Sequence, residues 1–240
     1  MNPSTNAQHP ALIAYPKQAA FGRVLPKNKI YEHSGANTRV KDLFVEQVEQ
    51  IVWQYKLSPE TINLPARPSV PEIQIFSIQL KTAELHWDVL RCIDGAVPFP
   101  IIFELNQGEG DRAQTQVVAA YKRPSMSSRE ADASNWVQSG YFATNWLPAT
   151  DERSSLPLGI DMAVLYESLL QRLIPLSTRP QETLADLVAR VDLVATRQRE
   201  VETVASKLAK EKQFNRKVEI NALLRQLKNE LKQLTGKVRA

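Results

Sequence analysis

A repeat of apolar residues near the end of the sequence constrains the architecture of this chain more than any other feature. Apolar side chains recur at alternating spacings of three and four residues, which is the pattern of a narrow apolar seam on a helix. This first seam consists of Leu184, Leu187, Val191, Val194, Gln198, Val201, Ala205 and Leu208. The repeat fails across Lys210 to Lys217, and a second seam runs from Ile220 to Leu234. The pattern predicts a coiled-coil-like helical arm over residues 180–235.

No residue that commonly ends a helix marks the break between the two seams. No Gly or Pro lies between Gln181 and Thr235. The break is therefore either a register shift within one helix or a turn between two helices, and the pattern leaves both open. A single unbroken helix of this length would extend for about 80 Å, at 1.5 Å per residue.

The basic residues of the chain are concentrated in the arm. Residues 205–240 contain ten Lys or Arg and three acids, whereas the rest of the chain contains 20 bases and 23 acids. Such a cluster is typical of a solvated helix face, of a surface for an acidic protein partner, or of a surface for nucleic-acid phosphates. The predicted contact residues for a protein partner or nucleic acid lie at the break: Lys210, Lys212, Phe214, Asn215, Arg216 and Lys217.

The residues before the arm predict one α+β body over residues 21–176, preceded by a disordered tail over residues 1–20. Its small mixed or antiparallel sheet is expected to carry flanking helices. The predicted elements are helices at 39–56, 83–94 and 160–173, a strand at 72–81, and antiparallel strands at 100–106, 114–122 and 141–146. The strand at 72–81 is apolar on both faces, which predicts that both faces are covered or that the strand carries a bulge.

Most classes of catalytic or metal site lack a counterpart in the sequence. The three histidines and the single cysteine, Cys92, have no metal-ligand spacing, and the common nucleotide-binding and nucleophile patterns are absent. We therefore expect no metal and no cofactor. One cysteine, no apolar run long enough for a membrane span and no secretory signal predict a cytoplasmic protein.

Three residues around two of the predicted strands are weak catalytic candidates. Asp94, Glu104 and Lys122 combine carboxylates with a lysine, as in metal-dependent nucleases. A symmetric hairpin would place Glu104 opposite Gln116, so that Lys122 lies about 20 Å further along the strand. The nuclease is therefore kept only as an alternative.

Four stretches of the sequence carry a resemblance to a known family. They are the segment from Phe44 to Leu57, Pro100 to Leu105, Tyr121 to Arg123, and the arm segment from Glu211 to Asn221. Together they resemble a bacterial family described as domain of unknown function 4391, over nearly the whole chain. The resemblance implies an accessory role beside helicases and DNA methyltransferases in restriction-modification or phage-defence systems, and it transfers no catalytic residue.

These observations lead to one principal functional prediction. The protein is expected to be an interaction protein whose basic arm docks a helicase, a DNA methyltransferase or a second copy of the chain. An apolar seam exposed to water would favour such a partner. The alternatives are direct DNA binding through the arm and a metal-dependent nuclease.

Overall fold

The computed structural model describes residues 11–125 and 136–236. The described residues divide into two compact units. The first, residues 11–173, is called the body, and the second, residues 174–236, is called the hairpin. The fold class is mixed α+β, as the sequence predicts.

The body is built on a mixed β-sheet. Its described strands are β1 (Ile13–Ala14), β2 (Ala20–Val24), β3 (Val48–Leu57), β4 (Ile73–Leu80), β5 (Ile101–Gln107), β6 (Gln114–Pro124), β7 (Trp136–Ala143), β8 (Leu147–Pro148) and β9 (Ser154–Ser155). The main sheet has the order β2-β3-β4-β5-β6-β7, and β8 pairs with β6. Its neighbours are antiparallel except for β4 and β5, which are parallel.

Five α-helices of the body and two of the hairpin are described. They are α1 (Lys27–Ser34), α2 (Thr38–Gln47), α3 (Pro59–Ile62), α4 (Trp87–Ala96), α5 (Met162–Gln171), α6 (Leu184–Lys210) and α7 (Phe214–Thr235). Helix α4 lies between the parallel strands β4 and β5 in the sequence, as parallel neighbours require a crossover connection.

Both faces of the main sheet are buried. On one face, Phe76, Phe103 and Val118 pack in a cluster with residues of α1, α2 and α4. On the other face, Ile75 and Ile102 are equally buried, because successive side chains of a strand alternate between faces. The prediction that β4 is apolar and covered on both sides is confirmed.

The predicted helix over 39–56 is wrong in its second half. Helix α2 ends at Gln47, and the following residues form β3, which lies between β2 and β4. The apolar residues of this segment fit either period, and the β-branched Val48, Ile51 and Val52 favour a strand. The end of α2 is fixed from outside, since Lys27 Nζ donates to the Phe44 and Val48 carbonyls and Lys81 Nζ to the Val45 carbonyl.

The predicted disordered tail is corrected for residues 11–20, while residues 1–10 lie outside the described part of the chain. Leu12 and Ile13 are 2% and 1% exposed, so this segment belongs to the core of the body. Strand β1 pairs in parallel with β9, and the Ser154 amide donates to the Leu12 carbonyl. Burial of this short apolar run outweighs the nearby prolines on which the tail prediction rested.

The antiparallel pair predicted at 100–106 and 114–122 is confirmed as β5 and β6, but its register differs by one residue. Glu104 lies opposite Val117 instead of Gln116. The connecting loop has six residues, 108–113, which include the 3-10 turn Gly110–Arg112, so that Gln107 pairs with Gln114 and every pair is moved by one residue. The third predicted strand, 141–146, begins earlier, at Trp136, and ends at Ala143.

The second unit resolves the question of the break in the arm. Helices α6 and α7 are separated by three residues, 211–213, and run antiparallel, because Arg197 of α6 pairs with Glu230 of α7 at 3.2 Å. The arm is therefore a helical hairpin whose two seams face each other. Along the middle of α6, Arg197 and Val204 are half-buried, whereas the predicted seam members Gln198 and Ala205 are exposed.

Candidate functional site

Two of the three catalytic candidates lie together inside the body. Asp94 is in the last turn of α4, Lys122 is in β6, and each is only 4% exposed. The Lys122 ammonium is 3.7 Å from the nearer carboxylate oxygen of Asp94. Side chains of this kind are almost never buried without partners, so their hydrogen bonds decide what the pair can do.

Lys122 serves as a cap for the end of α4. Its Nζ donates to the Asp94 carbonyl at 2.6 Å and to the Val97 carbonyl at 2.5 Å. The ring of Trp136 covers the ammonium, with its centroid 5.9 Å from Nζ. These bonds satisfy carbonyls that the helix leaves unpaired and place a cation at the negative end of its dipole. An ammonium used in this way is not available to orient a water or a phosphate.

The Asp94 carboxylate is held by two side chains of the neighbouring strand β7. Its Oδ2 accepts from the Tyr141 hydroxyl at 2.5 Å and from Gln138 Nε2 at 3.0 Å. Burial raises the pKa of Asp94 to about 6, against the lowering effect of Lys122 and of these hydrogen bonds. Burial also lowers the pKa of Lys122, against the opposing effect of Asp94. The cluster joins α4, β6 and β7 through buried polar contacts.

This pKa shift predicts a pH dependence of stability. Because Asp94 has its pKa raised from 3.8 to about 6 in the folded body, its neutral form favours folding. The stabilisation is therefore complete below pH 4 and is lost as the pH rises through 6. At about 1.4 kcal/mol per unit, Asp94→Asn should remove about 3 kcal/mol of pH-dependent change between pH 4 and pH 7. Urea unfolding of the wild type and the variant at these two pH values measures the difference.

The matched control for this experiment is Asp111→Asn, which changes an exposed carboxyl group in the loop after β5. The control variant should keep the pH dependence of the wild type. If the free energy of unfolding changed with pH equally in the wild type and in Asp94→Asn, the Asp94 pKa would not be raised by folding.

Glu104, the third candidate, lies on the opposite face of the sheet. It alternates with Phe103 and Leu105, which pack in the cluster with α4. Its carboxylate accepts two hydrogen bonds from Arg153, at 2.7 and 2.9 Å, and Arg153 also donates to the Ile13 carbonyl. The arrangement fixes β1 and the segment before β9 against the sheet. The structure therefore does not bring the three candidates into one site.

Among residues 11–125 and 136–236, no group of three or more His, Cys, Asp or Glu side chains is placed to hold a metal ion. A search of the same residues found no helix that is long and apolar enough to cross a membrane.

The predicted contact residues of the arm lie together at the turn of the hairpin. Residues 207–218 are called the tip. Lys210 is the last residue of α6, and Lys212 lies in the turn. The other four predicted contact residues are the first four of α7: Phe214, Asn215, Arg216 and Lys217. All six predicted contact residues are exposed. The 27 residues of α6 place the tip about 40 Å from the other end of the hairpin, at 1.5 Å per residue.

The tip carries an apolar pair outside the seam. Phe214 is 76% exposed and Val218, one helical turn later, is 55% exposed. Both lie well away from the seam face of α7, where Leu224 and Leu227 are buried. The sequence analysis identified Phe214 but missed Val218. The spacing of four between them, out of phase with the second seam, is the signal that could have revealed the pair.

The other end of the hairpin is fixed by a buried ion pair. Arg190, which is 8% exposed, donates to both carboxylate oxygens of Glu182, at 2.6 and 2.8 Å. The same guanidinium donates to the Leu234 carbonyl at the end of α7 and to the Ser177 carbonyl. Hydrogen bonds from Arg190 are the main cause that lowers the pKa of Glu182.

Comparison with known proteins identifies the family of this chain and adds no relative with a described activity. The family model described as "Domain of unknown function (DUF4391)" matches residues 13–231. The search of curated proteins found no match, and neither did the search of solved structures.

Proposed function

Since the chain belongs to the DUF4391 family, whose description states no activity, we propose its function from the hairpin. We propose that the protein is an accessory interaction protein whose tip docks an acidic surface of another protein. The partner class proposed is a helicase or a DNA methyltransferase of a restriction-modification or phage-defence system. This class follows from the family resemblance, and the chemistry of the contact follows from the tip.

The exposed apolar pair within a basic surface is the observation that carries the proposal. Phe214 and Val218 expose apolar surface on one face of α7. An aromatic side chain with neighbouring cations is typical of the residues that dominate protein interfaces. The tip holds five bases, Lys207, Lys210, Lys212, Arg216 and Lys217, and one acid, Glu211. An acidic partner surface would complement this charge.

The apolar seams themselves no longer require a partner. In the hairpin they face each other, and Leu187, Leu224 and Leu227 are buried. The partner contact is therefore proposed at the tip and not along the seam. Docking of two tips against each other is disfavoured, because it would bring two sets of like charges together.

Direct DNA binding through the same bases is the second candidate. The concentration of cations at the tip supports it, since phosphate binding needs clustered Lys and Arg. It does not use the exposed apolar pair, so it ranks below protein docking. A DNA complex would weaken steeply with salt, whereas loss of binding in Phe214→Ala alone would favour the protein.

Charge reversal at the tip tests the proposal. The variant carries Lys212→Glu, Arg216→Glu and Lys217→Glu, and it should weaken the partner complex by about 100-fold, since three interface charge pairs of roughly 1 kcal/mol each are lost. The measurement is the affinity of the purified full-length protein for purified candidate helicases and DNA methyltransferases, by titration calorimetry. Phe214→Ala should cause a similar loss without any change in charge.

The control variant changes the same number of charges on the same helix, further from the tip. It carries Arg225→Glu, Lys228→Glu and Lys232→Glu, all at exposed positions of α7. This variant should retain most of the affinity. Equal losses in both charge variants would leave only a diffuse electrostatic role and would contradict docking at the tip.

A further inference from the structure

A groove runs between α6 and α7 in the half of the hairpin nearer the tip. It encloses about 680 Å³ and is bounded by residues between 196 and 207 of α6 and between 223 and 230 of α7. The two helices alone do not close it, because a pair of helices buries only the seam between them. A third helix packed against both would close such a groove.

The α7 wall of the groove contributes two leucines, beside Gln226 and Glu230. Leu227 is buried at its floor, whereas Leu223, one turn earlier, is 46% exposed. Leu223 therefore lies on the flank of the seam that faces the groove. A spacing of four residues between two leucines on one wall fits apolar residues at spacings of three and four on an incoming helix.

The α6 wall of the groove is cationic. Arg199 and Lys207 line it and form no ion pair with any described residue. Among the described residues, Arg199 donates only to the Ala195 carbonyl and the Thr196 hydroxyl. The two cations are eight residues apart, which is about 12 Å or two turns along α6. By contrast, Arg197 at the far end of the groove is already neutralised by Glu200 and Glu230.

We infer that this groove binds one acidic amphipathic helix of the partner. The helix would place apolar residues on Leu223 and Leu227 and two carboxylates, about two turns apart, beside Arg199 and Lys207. This inference rests on the proposed function and deepens it, since it gives the chemistry of the docking segment. A nucleic acid would leave Leu223 and Leu227 uncovered. A second hairpin would bring its own unpaired Lys and Arg side chains into the groove.

A pair of designed peptides tests the inference with the full-length protein. The acidic probe is a fluorescent helical peptide of about three heptads, with Leu at the a and d positions and Glu at e and g. The basic probe has Lys in place of every Glu. The wild type should bind the acidic probe and not the basic one, as measured by fluorescence anisotropy at low and physiological salt.

Three variants localise the binding. Arg199→Glu with Lys207→Glu should weaken the acidic probe by about tenfold or more and should create binding of the basic probe, because the charge of the wall is reversed. Leu223→Ser should weaken the acidic probe to a similar extent. Leu193→Ser, at an exposed aliphatic residue of α6 outside both the groove and the tip, should leave the peptide affinity unchanged.

The outcomes separate this inference from the proposed function. Failure of the wild type to bind the acidic probe, or equal affinity in all variants, overturns the groove even if the tip variants lose the helicase or methyltransferase. Binding of a labelled DNA duplex that is lost in the double charge variant also overturns it. Loss of peptide binding in the groove variants, with the candidate partners unaffected by tip variants, upholds the groove and rejects docking at the tip.

Discussion

Lys122→Met is expected to destabilise the body by about 3–5 kcal/mol at pH 7, because removal of one member of a buried pair leaves the other without compensation. Methionine occupies a similar volume, so the loss is not one of packing. The Asp94 carboxylate would lose its cation, and the carbonyls of Asp94 and Val97 would lose their donor. Urea unfolding monitored by tryptophan fluorescence measures the change.

A double variant distinguishes a structural pair from a catalytic one. Lys122→Met with Asp94→Asn should recover part of the lost stability, since no buried charge then remains. The recovery should be greater at pH 8 than at pH 5, because protonation of Asp94 already relieves the single variant at the lower pH. A loss below about 1 kcal/mol in Lys122→Met would be typical of a surface substitution and would contradict a capping role.

Arg190→Ala is expected to open the end of the hairpin opposite the tip. The substitution removes the cation paired with the Glu182 carboxylate and the donor to the Ser177 carbonyl, and it leaves Arg179 as the remaining side-chain donor to the Leu234 carbonyl. The cost should be about 3–5 kcal/mol for the hairpin, as for other buried ion pairs that lose one partner. Hydrogen exchange should report it as faster exchange of the α7 amides, while amides of the central strands β4 and β5 keep their protection.

Two further variants calibrate the change in α7 amide exchange. Arg190→Lys keeps the charge but lacks the planar fork that binds both oxygens of Glu182, so it should show an intermediate effect. Arg225→Ala, at an exposed position of α7, should leave exchange unchanged. Wild-type exchange of α7 in Arg190→Ala would mean that the seam, Arg179 and the Arg197–Glu230 pair hold the hairpin together without Arg190.

The parts of the fold that could be predicted are those with strong local signals. The apolar run of β4 specified a strand covered on both faces. The β5–β6 pair was recognisable from its intervening glycines, and Gly108 does adopt a positive φ of 73°, where a Cβ atom would meet the Arg112 carbonyl oxygen at 2.5 Å. The boundary between α2 and β3 could not be predicted, since the lysines that hold the end of α2 are remote in the sequence.

Some parts of the candidate sites could likewise be predicted from the sequence, and others could not. The contact residues around Phe214 were predicted because the seam breaks there, and a break in a repeat is visible in the sequence. The meeting of Asp94 with Lys122, and of Glu104 with Arg153, depends on how α4 packs and how the segment before β9 returns to the sheet. The groove could not be predicted, because it depends on how α6 and α7 pack and on which leucines of the second seam stay exposed, as Leu223 does.

The basic side chains at helix ends have a consequence for how the chain folds during synthesis. The end of α4 is capped by Lys122, which follows Asp94 by 28 residues, so a nascent chain lacks this cap until β6 has left the ribosome. The end of α7 needs Arg190, which precedes Leu234 by 44 residues and is already present when α7 emerges. We therefore expect the hairpin to close as soon as it is made, whereas the body must wait for its later strands.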